Sequence, residues 1–201
     1  MNIRSRPSSR HATTRVALRP NPLAACLLAV TGGLASSWAT AAVTHVVTTC
    51  NDTVGSALCD GDDGTLRKAL RCAQNKDTVD LTQLQCSTIT LATSLIAGTV
   101  TVTLNGPGRD KLTIDAGGRF RAIIHNGVYS NALYIKNLTI TNGHYDNPYD
   151  YSNGGGCIYS SSYVSVTSST VSNCYTSAIY KAATGGAIFA RKGASVTDTI
   201  V

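Results

Sequence analysis

Short runs of apolar and β-branched residues, separated by Gly, Asn, Ser and Asp, follow one another from residue 78 to the end of the chain. Within a run, apolar and polar residues alternate, which places every second side chain on one face of an extended strand. No run is long enough for a helix. The runs cover residues 78–81, 88–91, 100–104, 112–115 and 122–124. The pattern predicts an all-β chain of short strands.

The strand pattern repeats along the chain. Residues 131–143 align without a gap to residues 162–174 at an offset of 31, and residues 155–166 recur at 185–196 at an offset of 30. Inward apolar residues of a solenoid must stack in register, so regular offsets of this kind indicate coils. We expect one inward column to contain Ile135, Val166 and Val196.

Toward the N-terminus the interval between matching apolar residues is shorter. Leu112 and Ile114 fall on Leu133 and Ile135 at an offset of 21. Coils of about 21 residues that grow to about 30 by insertion between strands are typical of a parallel β-helix, because the turns are free to vary in length. We therefore predict a right-handed parallel β-helix over residues 78–201.

An antiparallel β-sandwich is the alternative, since it also consists of many short strands. It does not require repeats in register, and it usually carries two-residue hairpin turns such as Asn-Gly. Asn-Gly pairs occur at residues 126–127 and 142–143. The sequence leaves this alternative open.

Residues 42–77 differ in texture and contain one segment with helical spacing. Its apolar residues recur at i, i+3, i+4 and i+7 and so share a face. They are Leu66, Ala69, Leu70 and Ala73. Asp63 or Thr65 is placed to cap the start of a helix near residues 66–72, and Asn75 to end it. We predict an N-terminal cap containing this one short α-helix, because the terminal coils of a solenoid need a cover.

Residues 1–41 have the three parts of a secretory signal peptide. Five arginines and no acidic residue precede an apolar run at residues 22–35, and the triplet Ala-Thr-Ala at 39–41 follows it. The run is too short to span a bilayer. An uncleaved interfacial anchor is one alternative, and a lipoprotein is another, because residues 23–26 resemble a lipobox. The segment predicts export.

The formal net charge of +6 comes mainly from this leader. Removing its five arginines from the 17 basic residues leaves 12, against 11 acidic residues, a balance near +1. Nucleic acids and anionic membrane surfaces attract clustered positive charge, so this balance argues against both as partners. All acidic residues are aspartates, which favour turns and caps over helix interiors.

Six cysteines follow the leader, and an even number in an exported chain predicts disulfides. No C-x-x-C spacing is present, so we expect no metal site and no cofactor. A solenoid brings the start of a coil close to the end of its own last strand. We therefore predict a disulfide between Cys157 and Cys174. The remaining four are expected to pair among themselves, in an order that the sequence leaves open: Cys50, Cys59, Cys72 and Cys86.

Three stretches of the chain together resemble a known family. Residues 64–81, GTLRKALRCAQNKDTVDL, resemble the N-terminal cap of exported bacterial β-helix proteins, and residues 104–118 resemble their early coils. GGCIY at 155–159 and GGAIF at 185–189 resemble the GGA[ILV] repeats of polymorphic outer-membrane proteins and related pectate-lyase-like solenoids. The resemblance implies display at the cell outer membrane or secretion, with roles in adhesion or carbohydrate contact. The chain stops inside an aligned coil, so we expect a fragment or truncated product.

Folds of this class also host lyases and hydrolases, whose carboxylates converge on one bond. Asp110 and Asp115 are the nearest pair, but their odd spacing along an extended chain sends them to opposite faces about 17 Å apart. We interpret both as turn residues, residues 60–64 as a capping turn rather than a calcium site, and His125 as a packed residue. No catalytic residue is predicted. A noncatalytic surface or secreted protein is favoured, and a polysaccharide lyase or glycoside hydrolase is the alternative.

The insertion at residues 143–156, GHYDNPYDYSNGGG, is the predicted place of ligand contact. It combines flat aromatic faces with hydrogen-bonding groups suited to sugar hydroxyls. The candidate binding residues are Tyr145, Asp146, Tyr149, Asp150 and Tyr151. The expected partner is an extracellular glycan or a component of a host or cell surface. A solvated loop whose tyrosines cover the flank of the solenoid is the alternative.

Overall fold

The structure is a computed structural model that describes residues 41–55, 59–128, 130–146, 154–177 and 185–201. The leader predicted for residues 1–41 therefore lies outside the described residues, apart from its last position. Within the described part, the chain forms sixteen strands and one helix.

The helix is α1, Leu66–Cys72. The strands are β1 Thr44–Val46, β2 Asp77–Asp80, β3 Thr88–Thr90, β4 Leu95–Ile96, β5 Val102–Asn105, β6 Thr113–Asp115, β7 Ile123–His125, β8 Ala132–Lys136, β9 Thr139–Thr141, β10 His144–Asp146, β11 Ile158–Ser160, β12 Tyr163–Thr167, β13 Thr170–Ser172, β14 Tyr175–Ser177, β15 Ile188–Ala190 and β16 Ala194–Thr197.

The strands stack into parallel sheets that run along a solenoid of about four turns. The first sheet has the order β1-β2-β5-β8-β12-β16, the second β3-β6-β9-β13, and the third β4-β7-β11-β15. Strands β10 and β14 form a fourth, two-stranded sheet. β8 and β12 pair in parallel, so the predicted parallel β-solenoid is confirmed and the antiparallel sandwich is wrong.

The register of the first sheet tests the predicted repeats. Val166 lies opposite Ile135 on one side and opposite Val196 on the other, so the offsets of 31 and 30 and the predicted column are confirmed. The offset of 21 is wrong, because the partner of Leu133 is Val102. Residues 112–114 have the same apolar-x-apolar pattern as residues 133–135, but the strand that follows Leu112, β6, belongs to the second sheet.

The core consists of inward columns that run through successive coils. In the first sheet Leu104, Ile135 and Val166 are fully buried, and in the second sheet Ile114 and Ile140 are. Complete burial of such a side chain contributes about 1.5–3 kcal/mol. Stability is therefore distributed over contacts between neighbouring coils, as in other repeat architectures.

The corner between the first and second sheets is made by one residue in the left-handed region. Asn137, Ser168 and Asp198 occupy it in three successive coils, with φ of 58°, 49° and 46°. In the preceding coil the equivalent residue is Gly106, which does not have a positive φ and whose Cβ, if present, would lie 2.3 Å from the carbonyl oxygen of Asn137. The small and short polar residues at these positions let the chain turn sharply without displacing the next coil.

The cap helix spans the predicted residues 66–72, but its C-terminal cap differs from the predicted one. The Thr65 side chain accepts a hydrogen bond from the Lys68 N–H at 3.2 Å, and Leu66 and Leu70 are buried. The C-cap is Ala73, so Asn75 does not end the helix. Asn75 instead accepts a hydrogen bond from the Thr101 N–H at 3.2 Å, which ties the cap to the next coil.

Three disulfides are present among the described cysteines. Cys157 and Cys174 are bonded, with a Cα–Cα distance of 5.2 Å, as predicted. The four N-terminal cysteines pair among themselves, as Cys50–Cys86 and Cys59–Cys72. Such bonds are typical of proteins in an oxidising environment. No helix in the described ranges is both long and apolar enough to cross a membrane.

Candidate functional site

The outer face of the third sheet carries an apolar and aromatic column. Ile96 lies opposite Ile124, Ile124 opposite Tyr159, and Tyr159 opposite Phe189. Their inward neighbours fill the core, so the alternation of the strands directs these four side chains outward, where each is half-buried. We call this set, Ile96, Ile124, Tyr159 and Phe189, the outer column.

Two rings of the outer column stack on each other. The ring centroids of Tyr159 and Phe189 are 5.6 Å apart, and their planes differ by 10°. Strands in register hold equivalent side chains about 4.8 Å apart, so the coil repeat itself imposes the stacking. The result is a stacked pair of rings that extends from one coil to the next.

A buried arginine extends this stack on the side of Tyr159. The Arg121 guanidinium carbon lies 4.6 Å from the Tyr159 ring centroid and 3.3 Å from that of Tyr145. Arg121 also donates hydrogen bonds to the carbonyl oxygens of Gly154 and Gly155 at 2.7 and 3.1 Å. The guanidinium is thus held by backbone carbonyls and lies close to two aromatic rings. We call Tyr145, Arg121, Tyr159 and Phe189 the aromatic cluster.

Tyr145 is held in place by a strand rather than by a loop. It belongs to β10, which pairs in parallel with β14, and its strand neighbour His144 contacts the Tyr175 ring at 5.0 Å. The Cys157–Cys174 disulfide lies directly beside this pair. Gly143 permits that approach, since a Cβ there would lie 2.6 Å from the Cys157 sulfur.

The structure places only part of the predicted ligand loop. Tyr145 joins the aromatic cluster, and Asp146 is exposed at the end of β10. Tyr149, Asp150 and Tyr151 lie outside the described residues.

Three members of the cluster are not among the site residues predicted from the sequence: Arg121, Tyr159 and Phe189. A signal for the two rings was present, because Tyr159 and Phe189 follow inward isoleucines in the repeated motif. Alternation sends the next residue outward.

His125 is a packed residue, as predicted. It is fully buried, its Nδ1 lies 2.8 Å from the Ser160 hydroxyl, and its Nε2 lies 2.9 Å from the carbonyl oxygen of Val100. A carbonyl only accepts, so Nε2 carries the proton and Nδ1 accepts from Ser160. Burial lowers the pKa of His125, against a smaller opposing effect of the Val100 hydrogen bond. The ring is a neutral core group.

Asp110 lies exposed in the turn before β6, and Asp115 is the last residue of β6. Asp115 Oδ1 accepts hydrogen bonds from the Gly117 N–H and the Asn142 side chain, both at 2.8 Å. Asp80, on the first sheet, accepts from the Thr82 N–H, and Asp198 pairs with Arg109. Asp110 is a turn residue, as predicted, whereas Asp115 ends strand β6 and its carboxylate accepts a hydrogen bond within the turn that follows.

Residues 60–64 form the predicted capping turn. Asp62 accepts a hydrogen bond from the Gly64 N–H at 2.9 Å. Asp63 accepts from both the N–H and the hydroxyl of Thr65, the N-cap of α1. Among the described residues, no group of three or more His, Cys, Asp or Glu could hold a metal ion.

Comparison of the chain with family models, curated proteins and solved structures gave no match. The likeness to polymorphic outer-membrane proteins and pectate-lyase-like solenoids therefore rests on the sequence motifs. The parallel β-solenoid rests on the strand pairing.

Proposed function

We propose that the chain is an exported, noncatalytic β-solenoid protein that contacts extracellular glycans through the aromatic cluster. The observation that supports this most strongly is the in-register stack of Tyr159 on Phe189 on the outside of the third sheet. Outward strand positions on a solenoid are usually polar, so a stacked aromatic pair there needs an explanation beyond folding.

Aromatic rings suit sugars because a ring offers a broad apolar face to the C–H groups of a pyranose. Tyrosine adds a hydroxyl that hydrogen bonds with sugar hydroxyls, and its side chain loses little conformational entropy on binding. The outer column follows the solenoid axis over three coil steps, about 14 Å. Such a stripe fits an extended glycan chain.

The cluster is organised before any ligand arrives. Arg121 donates hydrogen bonds to two backbone carbonyls, and its guanidinium carbon lies 3.3 Å from the Tyr145 ring centroid. Ordered side chains lower the entropic cost of association. Tyr149, Asp150 and Tyr151 follow Tyr145 closely in sequence, and we propose them with Asp146 as further sugar contacts.

Export is supported by the disulfides and by the leader sequence. We propose an outer-membrane or extracellular location, where the partner is a glycan or another component of a host or cell surface. Adhesion is the role that this combination favours.

A glycan array with single variants tests the proposal. We expect the intact protein to bind a subset of glycans, and Tyr159→Ala to weaken that binding about tenfold, as loss of one stacked aromatic contact predicts. Tyr134→Ala is the matched control, because Tyr134 is a half-buried outward residue of the first sheet. Absence of glycan binding, or an equal loss in Tyr134→Ala, would contradict the proposal.

A further inference from the structure

A concave surface lies at the cap, and its lining includes no residue of the aromatic cluster. It is a cleft of about 490 Å³ between helix α1, the segment 53–55 and the end of the third sheet. Its apolar walls are the side chains of Val54, Ile96 and Phe120. This volume falls in the range of small-molecule sites, about 300–1,000 Å³.

The cleft is also lined by three basic residues of α1, and two of them have internal partners. Arg67 donates to both carboxylate oxygens of Asp52 at 2.7 and 2.6 Å and to the carbonyl oxygen of Ser94 at 2.8 Å. This arginine is a clamp that joins the cap to the first coil. Lys68 donates to the carbonyl oxygen of Asp60 at 2.8 Å.

Arg71 is different. It lies one helical turn after Arg67 on the same side of α1, is exposed, and makes no hydrogen bond or ion pair within the described ranges. Among the described residues, the acidic residue that lines the cleft is Asp63, whose carboxylate accepts hydrogen bonds from Thr65. The hydrogen bond from the Thr65 hydroxyl is the main cause that lowers the pKa of Asp63. Arg67 is paired with Asp52, and Lys68 Nζ lies 3.8 Å from Asp60 Oδ1, so Arg71 is the lining cation that has no ionic partner among the described residues.

We infer that this cleft binds a small carboxylate with an apolar body. The Arg71 guanidinium presents a planar fork that matches a carboxylate. Val54, Ile96 and Phe120 cover the apolar part. Inorganic phosphate would leave those apolar walls uncovered, so the mixed lining favours an organic anion.

A matched pair of probes separates the charge from the apolar contact. Naphthoate and naphthamide have nearly the same size and differ in charge, and their binding to the intact, disulfide-bonded protein can be measured by calorimetric titration. We expect naphthoate to bind at least about fivefold more tightly than naphthamide. Equal affinities, or binding of neither probe, would overturn the inference.

Two variants and a control locate the site. Arg71→Gln should reduce the preference for naphthoate to about one, because the carboxylate loses its guanidinium partner. Phe120→Ala should weaken both probes together. Arg191→Gln removes an exposed arginine in the turn after β15 and should change neither. An unchanged preference in Arg71→Gln, or an equal loss in Arg191→Gln, would place binding elsewhere and overturn the inference.

Discussion

Asp77 is the buried carboxylate on which the N-terminal edge of the solenoid depends. It is 1% exposed, and its oxygens accept hydrogen bonds from the Val43 N–H at 2.7 Å, the His45 ring at 2.8 Å and the Gln74 N–H at 2.7 Å. The first two donors belong to β1 and the residue before it, and the third lies in the turn between α1 and β2. Asp77→Asn keeps the shape of the side chain but replaces one acceptor oxygen with an NH₂ group. That group is a donor, and it would face the donors that the oxygen now accepts from.

The magnitude follows from the bonds that the variant loses. A hydrogen bond to a charged group contributes about 1.5–3 kcal/mol, and an amide keeps at most one acceptor position in this site. We expect Asp77→Asn to lower the free energy of unfolding by about 3 kcal/mol at neutral pH. Asp80→Asn is the matched control in the same strand, because Asp80 is half-buried and accepts one bond, from Thr82. It should cost less than about 1 kcal/mol.

The pH dependence gives an independent check. Burial alone would raise the pKa of Asp77, but its hydrogen bonds outweigh burial and hold the pKa below the ordinary value of 3.8. The unfolded state therefore binds a proton first as the pH falls, so the stabilisation is complete above about pH 5 and is lost in more acidic solution. The gap between wild type and Asp77→Asn in urea unfolding should narrow below about pH 4. A gap that widens in acid, or equal effects of the two variants, would refute the reasoning.

Three further predictions concern the core, the disulfide and the turn aspartate. Ile135→Ala should lower the free energy of unfolding by about 2–5 kcal/mol, because it opens a cavity in a fully buried column. Joint replacement of Cys157 and Cys174 by Ser should cost about 3 kcal/mol in the same urea assay, and a loss below about 0.5 kcal/mol would contradict the disulfide's stabilising role. Asp115→Ala should cost about 1 kcal/mol through its lost turn bonds. Lyase or hydrolase activity that this variant abolishes, measured as unsaturated uronides or reducing sugars, would overturn the noncatalytic proposal.

Local pattern was sufficient for the solenoid but not for its first coils. The inward column of Ile135, Val166 and Val196 follows from alternation and equal offsets, which depend only on neighbouring residues and coil length. The predicted partner of Leu133, Leu112, was wrong, and the partner in the structure is Val102. An apolar-x-apolar run does not show which sheet it joins. Turn length decides that question, and turns vary freely in solenoids.

Only part of the aromatic cluster could be predicted from the sequence. Tyr145 was identified by its loop composition, whereas the role of Arg121 depends on carbonyls more than thirty residues away, at Gly154 and Gly155. No local pattern reports such a contact. The pairing of Cys50 with Cys86 was beyond prediction for the same reason, since it joins the cap to the first coil.

Intermolecular nuclear Overhauser contacts between a bound glycan and the protein test the central claim most directly. The measurement uses the tightest ligand from the array and the intact protein, and observes sugar ring protons against aromatic ring protons. We predict cross-peaks to Tyr159 and Phe189, the stacked pair of the third sheet. Cross-peaks confined to other rings, such as Tyr134 on the first sheet, would contradict the assignment of the aromatic cluster as the glycan-binding surface.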